Sequence, residues 1–181
     1  KGPADAARVG YPLVVKPSCE GSSVGISIVH HEKDLQPAIE LAQKYHGDVI
    51  LEEYVKGREV NVGVLDDEAI GEVEIKPATE FYDYEAKYLR NDTQYLCPAP
   101  VSEDDRRRMH QLAVAAHRAL GCSGATRVDL LLQPDGRAVC LEINTLPGMT
   151  EKSLLPKIAA TRNIDYATLV ERVLASAKVH Q

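Results

Sequence analysis

The sequence predicts an α/β or α+β fold with mixed and mostly antiparallel sheets. Three observations predict it. Short apolar runs alternate with longer segments of helical period, and some neighbouring runs are parted only by a turn. No internal repeat or low-complexity segment breaks the pattern. The 181 residues, 44% hydrophobic and 27% charged, suffice for one real core or two small lobes. That hydrophobic share excludes disorder, and 12 Gly and 10 Pro spread along the chain exclude a collagen-like sequence.

The elements follow in order. Leu13-Val14-Val15 reads as a buried strand, and Ile26 to Val29 as a second one beyond a Gly- and Ser-rich loop. From Glu32 to Tyr45, Leu35, Ile39 and Ala42 recur at helical spacing, with Gly47 where a helix stops. Val49 to Tyr54 is the next strand. Val60, Val62 and Val64 alternate with Asn61 and Gly63, the period of a half-buried strand. Asp66-Asp67-Glu68 turns the chain into Ala69 to Ile75. Pro77 to Pro100 has no clean period and holds Phe81, Tyr82, Tyr84, Tyr88 and Tyr95; a connection of this length is usually functional or mobile. Ser102 opens a helix that runs to Leu120, with Asp105 completing a short capping box and Gly121 as the stop. Strands from Thr126 to Leu132 and from Ala138 to Ile143 flank the turn Pro134-Asp135-Gly136. A short helix lies near Leu154, and a last one from Tyr166 to Ala177 takes Asp165 as its N-cap.

Composition narrows the function classes. With 21 basic against 27 acidic residues, a net charge of −6, one Phe and no Trp, the chain is a poor candidate for nucleic-acid binding. No apolar run approaches the roughly 18 residues of a membrane span. Cys19, Cys97, Cys122 and Cys140 lie far apart without a C-x-x-C pair, which argues against disulfides and structural zinc and for a reducing, cytoplasmic setting. The first residue is not Met and no signal or transit pattern follows, so the chain reads as a piece of something longer.

Three segments carry chemistry. Lys16-Pro17-Ser18-Cys19-Glu20-Gly21-Ser22-Ser23-Val24-Gly25 offers backbone N–H groups, hydroxyls and a strand-end ammonium, as phosphate-wrapping loops do. The spacing is not that of an ordinary P-loop, and a tight hairpin with an exposed Lys stays open. In the hairpin from Thr126 to Asn144, a two-residue turn at Asp135-Gly136 sets Asp129 opposite Glu142 and Arg127 opposite Asn144 on one face. Val128, Leu130, Leu132, Leu141 and Ile143 then share the apolar face. Directly opposed carboxylates repel, a hard cation removes that penalty, and carboxylate with amide oxygen suits Mg²⁺ bridged to phosphate. The third segment, Asn144-Thr145-Leu146-Pro147-Gly148-Met149-Thr150, turns at Pro-Gly where backbone N–H groups can hold an anion. The Tyr-rich stretch around Tyr82 to Tyr88 reads as a lid or a surface loop. Arg106-Arg107-Arg108 reads as a solvated helix face with i,i+4 pairs, and His30-His31 as a surface pair.

Taken in order, these segments resemble the D-alanine–D-alanine ligase family of the ATP-grasp superfamily. The resemblance rests on Val15-Lys16-Pro17 with Glu20 to Gly25, on Glu52 to Glu59, on Tyr82-Asp83-Tyr84-Glu85-Ala86-Lys87-Tyr88, on Arg127-Val128-Asp129 and on Glu142 to Thr150, and it covers essentially the whole chain. It implies an α+β ATP-grasp fold with ATP between two lobes. Residues 1–55 would form part of the small lobe, and residues 56–181 the C-terminal lobe with the metal and substrate site. The cofactor would be ATP with two Mg²⁺ ions, or Mn²⁺. Lys16 and Lys87 would contact the phosphates, with Glu20 beside them and the loop at Ser22-Ser23 closing over them. Glu52, Glu53 and Val55 would read adenine, and Glu59 would hold the ribose. Asp129, Glu142 and Asn144 would bind the metal ions. Arg127 and Gly148, with Ser22, would serve catalysis by stabilising negative charge. Ser153 and Leu154 would receive the second substrate's carboxylate, and Tyr88 would favour a dipeptide product over D-alanyl-D-lactate.

The implied reaction joins two D-alanine molecules for peptidoglycan precursor synthesis in the cytoplasm. One carboxylate is phosphorylated by ATP, the amine of the other D-alanine attacks the acyl phosphate, and phosphate departs. Partners are D-alanine and ATP, without nucleic acid or membrane, and the full-length protein would be a homodimer. Family members carry an N-terminal domain that supplies part of the first D-alanine site, whereas only about a dozen residues precede Val14. The 181-residue chain alone is therefore expected not to complete the cycle.

Overall fold

The apolar runs assemble into two antiparallel sheets, each with its own hydrophobic core. The structure, a computed structural model, describes residues 3–21, 23–76 and 93–177. Between Val55 and Lys56 the chain passes from one compact unit to a second.

The first unit contains α1 (Pro3–Val9), β1 (Leu13–Pro17), β2 (Ser27–Val29), α2 (Leu35–Ala42) and β3 (Val49–Glu53). Its strands lie in the order β2-β1-β3. Ala6, Leu13, Val15, Val29, Leu35, Ala38, Ile39, Ala42 and Val49 are its buried residues. The helix expected from Glu32 is shorter than its apolar spacing suggested. Residues Glu32–Asp34 form a single 3₁₀ turn, and α2 starts only at Leu35. Pro37 is the reason. In the first turn of α2 its missing N–H has no intrahelical partner to lose, whereas in a helix begun at Glu32 it would break a bond in the interior. The α1 helix had no signal in the sequence reading.

The second unit contains β4 (Arg58–Leu65), β5 (Glu68–Lys76), β6 (Gln94–Leu96), α3 (Glu103–Ala119), β7 (Ala125–Leu132), β8 (Ala138–Asn144), α4 (Leu154–Ala160) and α5 (Tyr166–Ser176). The strand order is β6-β5-β4-β7-β8. On one face Val60, Val62, Val64, Val128, Leu130 and Leu132 pack with Met109 and Ala113 of α3. On the other, Leu65, Val73 and Ala125 pack with Leu155, Ile158 and Ala159 of α4 and Leu169 of α5. With helices on both sides, β4 is not the half-buried strand its alternation suggested: every residue from Val60 to Leu65 is buried, Asn61 included. The short edge strand β6 lies in the stretch without a period and was missed.

Ser102 caps α3, accepting from the Asp105 N–H at 3.1 Å and donating its hydroxyl to Asp105 Oδ2 at 2.6 Å. Arg106, Arg107 and Arg108 form i,i+3 pairs with Glu103, Asp104 and Asp105, in place of the i,i+4 pairs expected. Arg106 also departs from a solvated role, since its Nε donates to buried Glu72 at 2.9 Å. His110 Nε2 reaches the other Glu72 oxygen at 2.8 Å, and Arg58 makes two hydrogen bonds to buried Glu74 at 2.8 and 2.7 Å. The four cysteines are free. Among the described residues no helix is long and apolar enough to cross a membrane.

Candidate active site

The β7–β8 hairpin builds a polar group on one face of the second unit. Arg127 pairs with Asn144, Val128 with Ile143 and Asp129 with Glu142, as the sequence register requires. The route to that register differs. Gln133 N–H donates to the Arg137 carbonyl and Gly136 N–H to the Gln133 carbonyl, so three residues, Pro134, Asp135 and Gly136, make the turn. Gly136 has φ +82°, a conformation that favours glycine. This turn pairs Leu130 with Cys140, one residue out of step with the expected register. A bulge between Asp129 and Leu130 absorbs Leu141 and restores the alignment. Leu141 is consequently 42% exposed, contrary to its expected place on the apolar face, and Cys140 packs there in its stead.

Arg127 holds Asp129 by two parallel hydrogen bonds, Nε to Oδ1 at 2.7 Å and Nη2 to Oδ2 at 2.8 Å. The Asn144 amide donates to Asp129 Oδ2 at 3.2 Å and to Glu142 Oε1 at 3.4 Å. Burial pushes the Asp129 carboxyl above the ordinary carboxylate range; Arg127 opposes that push and Glu142 adds to it. Burial works against the Arg127 charge, but Asp129, Glu142 and Glu59 together outweigh it and raise the guanidinium pKa. Three acids therefore lean on one arginine.

Among the described residues no three His, Cys, Asp or Glu side chains gather in a metal-holding cluster. The hairpin set is two carboxylates and one amide, all able to present oxygen. A buried carboxylate destabilised in its charged form, beside a second acid and an amide, is a donor set that fits a hard divalent cation.

Sequence reasoning missed one residue of this face. Asn61 of β4 lies directly opposite Asp129 of β7, so both side chains leave the same side of the sheet. It is 1% exposed, and neither its Nδ2 nor its Oδ1 has a hydrogen-bond partner among the described residues. The alternation with valines disguised it as a solvent-facing residue, and only the β4–β7 pairing, between distant segments, reveals its position. Glu59, two residues earlier, shares that face and is half-buried.

The other expected site residues fall into smaller groups. Gly148 lies beside Ser153, whose Oγ would come within 2.8 Å of a Cβ at that position. Ser153 Oγ accepts from Thr150 N–H at 3.2 Å and bonds Thr150 Oγ1 at 2.9 Å, and Leu154 begins α4. In the first unit, Lys16 Nζ and Glu52 Oε1 form an ion pair at 2.7 Å across β1 and β3. Glu53 is exposed, and Val55 is half-buried in the segment after β3. Glu20 is exposed in the loop after β1, whose base is closed by the Asp48 N–H bond to Ser18 Oγ at 2.9 Å. Ser23 has φ 60°. Ser22, Lys87 and Tyr88, with the rest of the Tyr-rich motif, lie outside the described residues.

Residues 4–175 match the family model described as D-ala D-ala ligase C-terminus. Among curated proteins, a D-alanine–D-alanine ligase of Geobacter sulfurreducens is 52% identical over 96% of the chain and 55% of its own length. One from an Anaeromyxobacter species is 52% identical over 97% of the chain and 59% of its own length. The chain thus spans a little over half the length of these relatives. Among solved structures, the VanG D-Ala:D-Ser ligase from Enterococcus faecalis superposes with a TM-score of 0.83 at 36% identity, covering 93% of the chain and 50% of the ligase. The D-alanine–D-alanine ligase from Bacillus anthracis complexed with ATP gives 0.82 at 30%, covering 97% and 55%. The fold is the α+β ATP-grasp fold of these neighbours.

Proposed function

The chain belongs to the D-ala D-ala ligase C-terminus family, and from that premise we propose that its full-length protein joins two D-alanine molecules at the expense of ATP. The Arg127–Asp129–Glu142–Asn144 group carries the reading. Asp129, Glu142 and Asn144 would hold Mg²⁺, which when bound neutralises charge on the phosphates of ATP.

The chain's own residues then divide the work. Lys16 and Lys87 bind phosphate oxygens, with Glu20, Ser22 and Ser23 in the loop that covers them. Glu52, Glu53 and Val55 supply the adenine contacts and Glu59 the ribose contact. Arg127, now paired with Asp129 by two hydrogen bonds, would stabilise negative charge as phosphate moves onto the first D-alanine carboxylate. The Gly148 N–H serves the same charge after the second amine has attacked, with phosphate as the leaving group. Ser153 and Leu154 hold the second carboxylate, and Tyr88 sets preference for an amine nucleophile. The product would enter peptidoglycan precursor synthesis in the cytoplasm, and the protein would act as a homodimer.

The test is phosphate release by the full-length protein with ATP, Mg²⁺ and D-alanine, beside D-serine, D-lactate and L-alanine. Release that depends on D-alanine, with the dipeptide found by mass, is the expected result. Faster turnover with D-serine or D-lactate at neutral pH would overturn the substrate assignment.

A further inference from the structure

We propose that Asn61 is a positioning residue for Asp129: it supplies the hydrogen bond that Asp129 needs when a divalent cation draws it away from Arg127. The inference rests on the reading of the hairpin as a cation site.

A buried side-chain amide with both polar atoms unpaired is costly, and native folds rarely keep one. Asn61 is such a group, at 1% exposure. A leucine of similar size would fill the place without that cost. Its neighbours across the ladder are Asp129 on β7 and Val73 on β5, so Asp129 is the polar side chain directly opposite. In the structure Arg127 occupies both Asp129 carboxylate oxygens and Asn144 adds a third bond.

Cation binding changes this arrangement. With Asp129 as a ligand, one of its oxygens would face the cation in place of a prong of Arg127. The oxygen not facing the cation then needs a donor to hold it at a nearly buried position, since Asp129 is 6% exposed. Asn61 Nδ2 stands opposite and is uncommitted. Carboxylates that bind metals are themselves held by hydrogen bonds, and removing such a partner typically weakens metal affinity about 10- to 100-fold. Asn61 thus stays unpaired in the free state and finds its partner in the loaded one.

The experiment uses the full-length protein, with Mn²⁺ binding read by electron paramagnetic resonance in the presence of a non-hydrolysable ATP analogue. Thermal midpoints without metal or nucleotide are measured alongside. For Asn61→Leu the expected result is Mn²⁺ affinity lowered about tenfold, with a metal-free midpoint equal to or above that of the parent. Asn61→Thr, which keeps a donor, is expected to recover part of the affinity. Affinity within twofold of the parent would overturn the proposal, as would a lowered metal-free midpoint, which would mean that the amide is already paired without the cation. Should Asn61→Leu fail to fold, Asn61→Ala decides by its Mn²⁺ affinity alone. Absence of Mn²⁺ binding by the parent would sink the cation site itself, a separate failure.

Discussion

The five-stranded sheet carries acids on both of its faces, three of them buried, and the two sets are handled in opposite ways. Under α3, Glu72 and Glu74 are 1% and 2% exposed. Their oxygens are met by fixed donors: Arg106 and His110 for Glu72, Arg58 for Glu74. Burial pushes the Glu72 carboxyl up, but the hydrogen bonds from His110 and Arg106 outweigh it and hold the group below its ordinary value. On the opposite face, Asp129 and Glu142 share one arginine, the Asp129 carboxyl is pushed up, and Asn61 opposite has no partner among the described residues. The first set is complete as folded. The second is left short of positive charge, as the proposed cation site requires. Burial of a carboxylate is therefore no sign of function by itself; the deficit in its surroundings is.

Replacing one acid on each face is expected to separate the two roles. Asp129→Asn, the change of largest effect, should lower D-alanine-dependent phosphate release by at least about a hundredfold. Its folded state should lose less, because Asn keeps a side-chain oxygen for Arg127 and Glu142 and Glu59 still face the guanidinium. Unfolding in urea beside the activity assay checks both halves. A large loss of stability with it would place Asp129 among the structural acids and erase the distinction.

Glu72→Gln should do the reverse: about 2 kcal/mol less stability from weakened charge-assisted hydrogen bonds, with turnover per folded molecule kept. Its pH dependence carries a sign. Because the folded pKa lies below the ordinary 4.5, the unfolded chain binds more protons between those two values, and stability falls as the solution is acidified across that window. The contribution is complete above about pH 4.5 and disappears as pH drops through the folded value. Urea midpoints of parent and variant should therefore differ by a constant amount near neutrality and converge in acid. A constant gap down to pH 3 would show that Glu72 contributes by packing and not by its charge. Ser102→Ala, which removes the cap of the helix that carries Arg106 and His110, should cost about 1 kcal/mol in the same urea measurement.

What the sequence made legible follows the range of the interactions. Local periodicity and turn chemistry located most strands and helices, and they brought Asp129 opposite Glu142. They did not distinguish the faces of β4, since nothing near Asn61 says that α3 covers one side and α4 with α5 the other. Nor did they reveal that Arg106 leaves the solvated side of its helix for Glu72, a partner 34 positions away. Both misses concern pairings between distant segments, and both matter to the comparison of the two faces: one hid a member of the deficient set, the other a donor of the complete set.

The hairpin offers the finest test, because the expected alignment at Asp129 was right while its path was not. A two-residue turn with an uninterrupted ladder would bury Leu141 beside Leu130, and Leu141→Ser would then cost what large-to-small core changes cost, about 2 kcal/mol or more. The three-residue turn followed by the bulge leaves Leu141 outside the ladder pairs and 42% exposed, while Leu130 stays fully buried. Leu141→Ser is accordingly expected to cost under about 0.5 kcal/mol, as surface changes do, and Leu130→Ala about 2–5 kcal/mol. Equal losses for the two in urea unfolding would mean that the bulge is absent. In that case the continuous alternation through Leu141 would govern the hairpin, and the register at the Asp129–Glu142 pair would need no correction between turn and site.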